Sequence, residues 1–378
     1  MRILNLHLEN WRNFTSVDIP LQRRVFITGP NASGKSNFLD ALRFLQDIAS
    51  SGGGLQSAVS RRHGLSSIRC LAARRYPNVV VQIEIGESNE STWNYGIDIN
   101  QDNQRRPYLK KELVTHNDDV ILDRPDHEDE DDAERLSQTH LEQVNANKSF
   151  REIVEFLSTI KYLHVVPQLI RDPDRSVGKL GDPFGGDLLE QIARTPKKTL
   201  DSRLARITQA LQVAVPQLQE LRLERDVKGT PHLSGLYKHW RPRAGWQSEG
   251  EFSDGTLRLL GLLWAVLSGG GPLLLEEPEL SLNPAVVRHI PQMFARVARR
   301  SGRQIFVSTH STELLSDPGI EPEETILLQP SPEGTVVSLA ASHDDIVALL
   351  QGGVPMAEAV FPYVSPENAE ELAAFGER

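Results

Sequence analysis

The stretch VFITGPNASGKS, residues 25–36, constrains the fold more than any other part of the chain. Four strand-forming residues run straight into Gly29-Pro30-Asn31-Ala32-Ser33-Gly34-Lys35-Ser36, which fits the phosphate-loop pattern G-x-x-x-x-G-K-[ST]. That pattern has a mechanical basis. Its glycines let backbone N–H groups face a β-phosphate, and the helix that opens next presents its positive end to the same anion. Lys35 reaches toward β- and γ-phosphates, and the Ser36 hydroxyl suits Mg²⁺. A chance glycine turn would lack the flanks. Here Phe38, Leu42, Leu45 and Ile48 recur at helical spacing until the breaker at 50–54. The expected ligand is therefore a nucleotide with Mg²⁺, held between a strand and a helix.

A second stretch carries acid where burial is expected. LLLEEPELSLNP, residues 273–284, places Glu276 and Glu277 directly after three leucines. Carboxylates at the end of a buried strand are costly unless something there needs negative charge. In phosphate-loop NTPases a later strand ends in a carboxylate that orders Mg²⁺. Glu276 takes that role, and Glu277 would address the water that attacks the γ-phosphate. Neighbours on a strand leave it in different directions, so one can serve metal and the other water. The competing reading, an exposed acidic turn, sits poorly after three leucines.

Between these motifs the chain alternates in character. Residues 79–85, 92–99 and about 108–123 read as β-hairpin material. The acid run DHEDEDDAE at 126–134 reads as a solvated loop tip and not as a metal site. Helical patterns cover 150–160 and 187–214, with a strand at 162–166 between them. Strands follow at 218–226 and 232–240. A helix apolar on most faces then begins after Ser253, which marks it as buried. Beyond the leucines come a helix over about 285–300 and a strand at 304–309. His343-Asp344-Asp345 reads as the first turn of a short helix. The division expected is a core with the phosphate loop over 1–60, a mainly antiparallel β lobe over 61–149, a helical lobe with strands over 150–250, and a C-terminal core over 251–378.

Taken together, these elements resemble the ABC class of ATPases, in its SMC/RecF/OLD-like branch. GPNASGKSN looks like that branch's phosphate loop, extending the contact set to Asn37. ILNLHLENWRNF resembles its opening strand, which puts Arg12 near the nucleotide. Ser253-Asp254-Gly255-Thr256-Leu257-Arg258 looks like the ABC signature, so Ser253 and Gly255 would touch a γ-phosphate across a dimer. FVSTHS puts His310 at the switch position. Gln168, in VVPQLIRDP, is the candidate Q-loop residue. The implied fold is α/β: a phosphate-loop ABC-type head with a parallel core sheet flanked by helices, an antiparallel β lobe and an inserted helical lobe. Glu276 departs from the commoner aspartate, and Asp254 stands where glycine is frequent.

The resemblance implies an ATPase that forms a head-to-tail homodimer on ATP. No heptads occur between Ser36 and Ser253, so long coiled-coil arms have no room. The stretch beyond Thr312 is too short for a TOPRIM nuclease domain. The reading is a short-armed ATPase serving DNA repair or anti-phage defence as sensor or motor for a separately encoded effector, such as a nuclease. Alternatives are a slow regulatory switch that scaffolds a partner protein, or an ABC transporter subunit. DNA is a candidate partner through YKHWRPRAGW at 237–246, Arg61-Arg62-His63 and Arg74-Arg75. The competing reading of the first of these is a strand whose tryptophans pack in the lobe. Net charge is −10, so any DNA contact would be a local patch. One cysteine, no apolar run long enough for a bilayer and no signal-peptide pattern at Met1–Glu9 predict a cytoplasmic protein.

Overall fold

The computed structural model describes residues 1–72, 77–87, 91–117, 119–178, 180–239, 245–366 and 368–374. Its strands are β1 (Arg2–Trp11), β2 (Phe14–Pro20), β3 (Arg24–Thr28), β4 (Val79–Gly86), β5 (Thr92–Gln101), β6 (Pro107–His116), β7 (Asp119–Arg124) and β8 (Lys161–Leu163). They continue as β9 (Leu218–Arg225), β10 (Pro231–Tyr237), β11 (Trp246–Ser248), β12 (Leu273–Glu276), β13 (Ile305–Ser308), β14 (Thr325–Ser331) and β15 (Gly334–Leu339). Three sheets result. The core sheet has the order β15-β14-β3-β13-β12-β8. All its neighbours pair in parallel except the edge strand β15, which runs against β14.

This parallel arrangement explains the apolar runs. Strands covered on both faces carry apolar residues at successive positions. In β12, Leu274 packs beneath the phosphate-loop helix (Lys35–Ala49) with Phe38 and Leu42, while Leu273 and Leu275 pack on the opposite face with Leu260 and Phe294. That second face is covered by the helix Asp254–Leu267, whose buried residues occupy most of its circumference, as an all-round apolar helix requires.

The second sheet is antiparallel, in the order β2-β1-β4-β5-β6-β7. It recruits the first two strands, β2 pairing with β1 at the edge and β1 with β4, and neither with β3. The third, β11-β10-β9, packs beside the helix Lys197–Ala214 within the helical lobe.

Several expectations need correcting. The strand expected over 162–166 stops at Leu163, because the amides of His164 and Val166 bond to the carbonyls of Pro183 and Phe184 in a loop and not to the sheet. The helix expected over 285–300 is broken into Pro284–Val287 and Ile290–Ser301; Pro291 has no N–H and fits only the first turn of a new helix.

The acid run is not simply a solvated tip. Asp126 caps a short helix, His127–Asp131, and Asp129 is buried against the fully buried Arg124. His343 and Asp345 bond separately, to Ser338 and Tyr363, with Asp344 opening the helix Asp344–Gln351. Among the described residues, no helix is long and apolar enough to cross a membrane.

Candidate functional site

The phosphate loop links β3 to its helix, and its backbone is curled by two left-handed residues, Ala32 at φ 63° and Gly34 at φ 101°. At Gly34 a side chain is excluded twice over. The positive φ is strained for other residues, and a Cβ would lie 2.2 Å from Asn13 Nδ2. Asn13 is a brace that sequence reasoning missed. Its amide donates to the Ser33 carbonyl at 2.7 Å and to Thr335 Oγ1 at 2.6 Å, and it accepts from Asn37 Nδ2 at 2.8 Å. Asn31 and Ala32 are exposed on the outer turn, beyond Gly29, while the Ser33 hydroxyl is buried without a hydrogen-bond partner among the described residues.

Lys35 folds its ammonium back onto the carbonyls of Gly29 at 3.0 Å and Pro30 at 3.1 Å. Burial pulls its pKa down to about 8, against the upward pull of Glu277, Glu276 and Glu279. Ser36 points across the site and donates to Glu276 Oε1 at 2.5 Å. The phosphate-loop hydroxyl and the β12 carboxylate thus already face each other. A hydroxyl and a carboxylate are hard oxygen donors of the kind that Mg²⁺ takes.

β12 ends at Glu276, and Glu277 then turns with φ 43° while its amide bonds the Ser308 carbonyl at 3.0 Å. The two carboxylates therefore diverge. Glu277 Oε1 lies 3.5 Å from His310 Nε2, at the exit of β13. Burial, and then Lys35, lower the His310 pKa, so this contact joins a neutral imidazole to the carboxylate at neutral pH.

Glu279 was not singled out from sequence. It is buried, bonds the Thr309 hydroxyl, and is pushed up to about 6 by that burial, although Thr309 works the other way. Its second oxygen has no hydrogen-bond partner among the described residues. Tyr162, also missed, donates to Glu276 Oε2. The only hint in sequence was Glu279 repeating the acid of the pair two positions on; nothing local marks Asn13 or Tyr162.

Other expected residues lie around this centre. Arg12, at φ 55°, donates to the Ser67 carbonyl at 2.9 Å and to Asp40 at 3.3 Å, and lines a polar cavity of about 280 Å³ beside Ser36 and Asn37. Gln168 is exposed in the short helix Pro167–Ile170 that follows β8. Ser253 caps the helix Asp254–Leu267, accepting from the Thr256 amide at 3.2 Å. Gly255 packs on the Ser281 carbonyl. Among the described residues, no hydrogen bond or ion pair joins Ser253 or Gly255 to Lys35 or Ser36. The cations at 61–62 are committed internally: Arg62 is buried between Asp40 and Asp47, and Arg61 pairs with Asp47 at 2.7 Å. Trp246 packs under the Arg222 guanidinium at 4.5 Å, and Tyr237 sits edge-on to Phe252. Arg74, Arg75, Trp240, Arg241 and Arg243 lie outside the described residues.

Over residues 24–316 the sequence matches the family described as "AAA domain, putative AbiEii toxin, Type IV TA system". The chain belongs to this AAA_21 family. The Smc head solved with the C-winged helix domain of ScpA superposes on it with a TM-score of 0.55 at 15% identity, covering 89% of this chain and 97% of that one. Its fold is therefore that of an SMC-type phosphate-loop ATPase head. The glucosylceramide transporter ABCA12 of Mus musculus is 31% identical over 108 residues, 28% of this chain and 4% of the transporter. Endonuclease GajA of Bacillus cereus (strain VD045) is 49% identical over 47 residues, 12% of this chain and 8% of the endonuclease. The AAA_21 chain thus spans less than a tenth of the length of either curated relative.

Proposed function

We propose that this chain binds ATP with Mg²⁺, hydrolyses it, and pairs head to tail with a second copy while ATP is bound. One observation carries the reading: Ser36, Glu276, Glu277 and His310, drawn from three separate segments, converge at the mouth of the phosphate loop. Mg²⁺ supplies charge neutralisation for the phosphate oxygens. Ser36 and Glu276 would hold it. Lys35 would exchange two loop carbonyls for phosphate oxygens. Glu277 would orient the attacking water and accept its proton, with the neutral His310 imidazole fixing that carboxylate.

Ser253 and Gly255 open a helix whose positive end suits an anion. Their contacts in this chain are to Thr256 and Ser281, which leaves them for the triphosphate of a partner copy. The short match to an endonuclease supports work beside a nuclease; the role we infer is in DNA repair or anti-phage defence, as sensor or motor for a separately encoded nuclease, with DNA as a further partner. A slow regulatory switch that scaffolds a protein is the second reading. It is favoured by Glu276, whose Oε1 accepts the Ser36 hydroxyl, which must turn its proton away before both oxygens can meet a metal.

Glu277→Gln tests the proposal. The variant should keep ATP affinity, accumulate a dimer by light scattering with ATP and Mg²⁺, and lose about 10² to 10⁴ in phosphate release. Wild-type turnover, or a species that stays monomeric under those conditions, would overturn it.

A further inference from the structure

The core sheet sets a tyrosine beside the carboxylate of β12. β8 and β12 run parallel, with Tyr162 opposite Leu274. Side chains alternate along a strand, so Tyr162, Leu274 and Glu276 share one face of the sheet. Leu274 packs in the core beneath the phosphate-loop helix, so that is the face they share. Tyr162 is thus diagonal to Glu276, and its hydroxyl takes Oε2 while Ser36 takes Oε1.

The tyrosine is held in turn. Arg43 follows Ser36 by seven residues, two turns along the same helix face. Its guanidinium lies 4.9 Å from the centre of the Tyr162 ring. One helix face therefore places a hydroxyl on one oxygen of Glu276 and a cation over the ring that grips the other.

This matters because of the methylene. Phosphate-loop NTPases commonly use aspartate at this position. Glutamate adds a rotatable bond, and an unpinned carboxylate would spread over more positions than a metal can use. We propose that Tyr162 is a positioning residue for Mg²⁺: it fixes Oε2 of Glu276 so that Oε1 stays directed at Ser36 and the metal. The inference rests on the reading of Ser36 and Glu276 as the metal-holding pair. Groups that orient a ligating carboxylate typically contribute 10- to 100-fold in metal affinity.

The test measures Mn²⁺ binding by the paramagnetic resonance of free Mn²⁺, on the full chain with a non-hydrolysable ATP analogue. Tyr162→Phe should weaken Mn²⁺ about tenfold. Affinity for the analogue in chelator, without metal, should stay within about twofold, a readout that a merely structural loss would move. Glu276→Asp withdraws the carboxylate from the hydroxyl, so adding Tyr162→Phe to it should change Mn²⁺ affinity little. Arg43→Gln, which keeps the hydroxyl but frees the ring, should give a smaller loss and serves if Tyr162→Phe folds poorly. Unchanged Mn²⁺ affinity in Tyr162→Phe, an equal loss in the Glu276→Asp background, or a parallel loss of metal-free nucleotide binding would overturn the proposal. Failure of the wild-type chain to bind Mn²⁺ with the analogue would instead sink the underlying reading of the site.

Discussion

Replacing Arg124 with methionine should destabilise the fold by about 3–5 kcal/mol at pH 7 without touching nucleotide binding. The magnitude follows from how completely the guanidinium is used. Arg124 is fully buried, and all five of its N–H donors are engaged. Two go to Asp129 at 2.8 Å each, one to Glu112 at 3.0 Å, and two to the carbonyls of Gln138 and Arg135. Methionine fills similar space but strands two buried carboxylates. In a chain of 378 residues that unfolds as one unit, the loss corresponds to a fall of about 4–6 °C in Tm.

The pH dependence separates this cause from simple loss of packing. In the wild type the Arg124 bonds hold Asp129 down to about 2, below its unfolded value. The stability it contributes, about 2 kcal/mol, is present above pH 4 and lost as pH falls toward 2. Glu112 is already raised by burial, despite Arg124 and the amides of His140 and Leu141. Without the cation both acids rise above their unfolded values, so the variant loses stability as pH climbs from about 4.5. Urea denaturation at pH 7 and pH 5 should show the gap to wild type narrowing at the lower pH. A gap under about 1 kcal/mol at pH 7, or one equal at both pH values, would refute the reasoning.

Lys35→Met should abolish nucleotide affinity, read by equilibrium dialysis, yet stabilise the nucleotide-free chain at pH 7 by about 1–3 kcal/mol, because a buried charge with its pKa lowered to about 8 is removed. The wild type should then gain stability as pH rises from 8 to 10.5, where the unfolded chain holds the extra proton, and the variant should not. Gly255→Ala would bring a Cβ within 2.5 Å of the Ser281 carbonyl. Backbone cannot yield there cheaply, so a loss of about 1–3 kcal/mol in denaturation is expected, together with weaker ATP-dependent dimerisation by light scattering.

Much of the core was legible because its signals are local. The phosphate loop needs glycine at a left-handed position and a strand and helix at its flanks, all within residues 24–49. The apolar helix after Ser253 and the leucines before Glu276 likewise declare burial on both sides of a sheet. The acid run misled because composition reports the average environment. Eight of its neighbours can face water while Asp129 alone turns inward to a cation five residues back. The basic pair at 61–62 misled for the same reason: Arg62 is buried by aspartates on another helix.

What the sequence by itself determined is the chemistry available: a phosphate cradle, paired carboxylates after a buried strand, a histidine after another. Each depends on backbone conformation and burial over a few residues. What only the tertiary structure decided is which distant groups complete that chemistry. Asn13 reaches Thr335, Tyr162 reaches Glu276, and Glu279 reaches Thr309 through strand pairings and helix packing. Even the opening strand went to the antiparallel sheet, between its neighbour β2 and the distant β4, and not to the core sheet that holds β3. Strand pairing is set by total burial across the whole sheet, a quantity that no short window of residues contains.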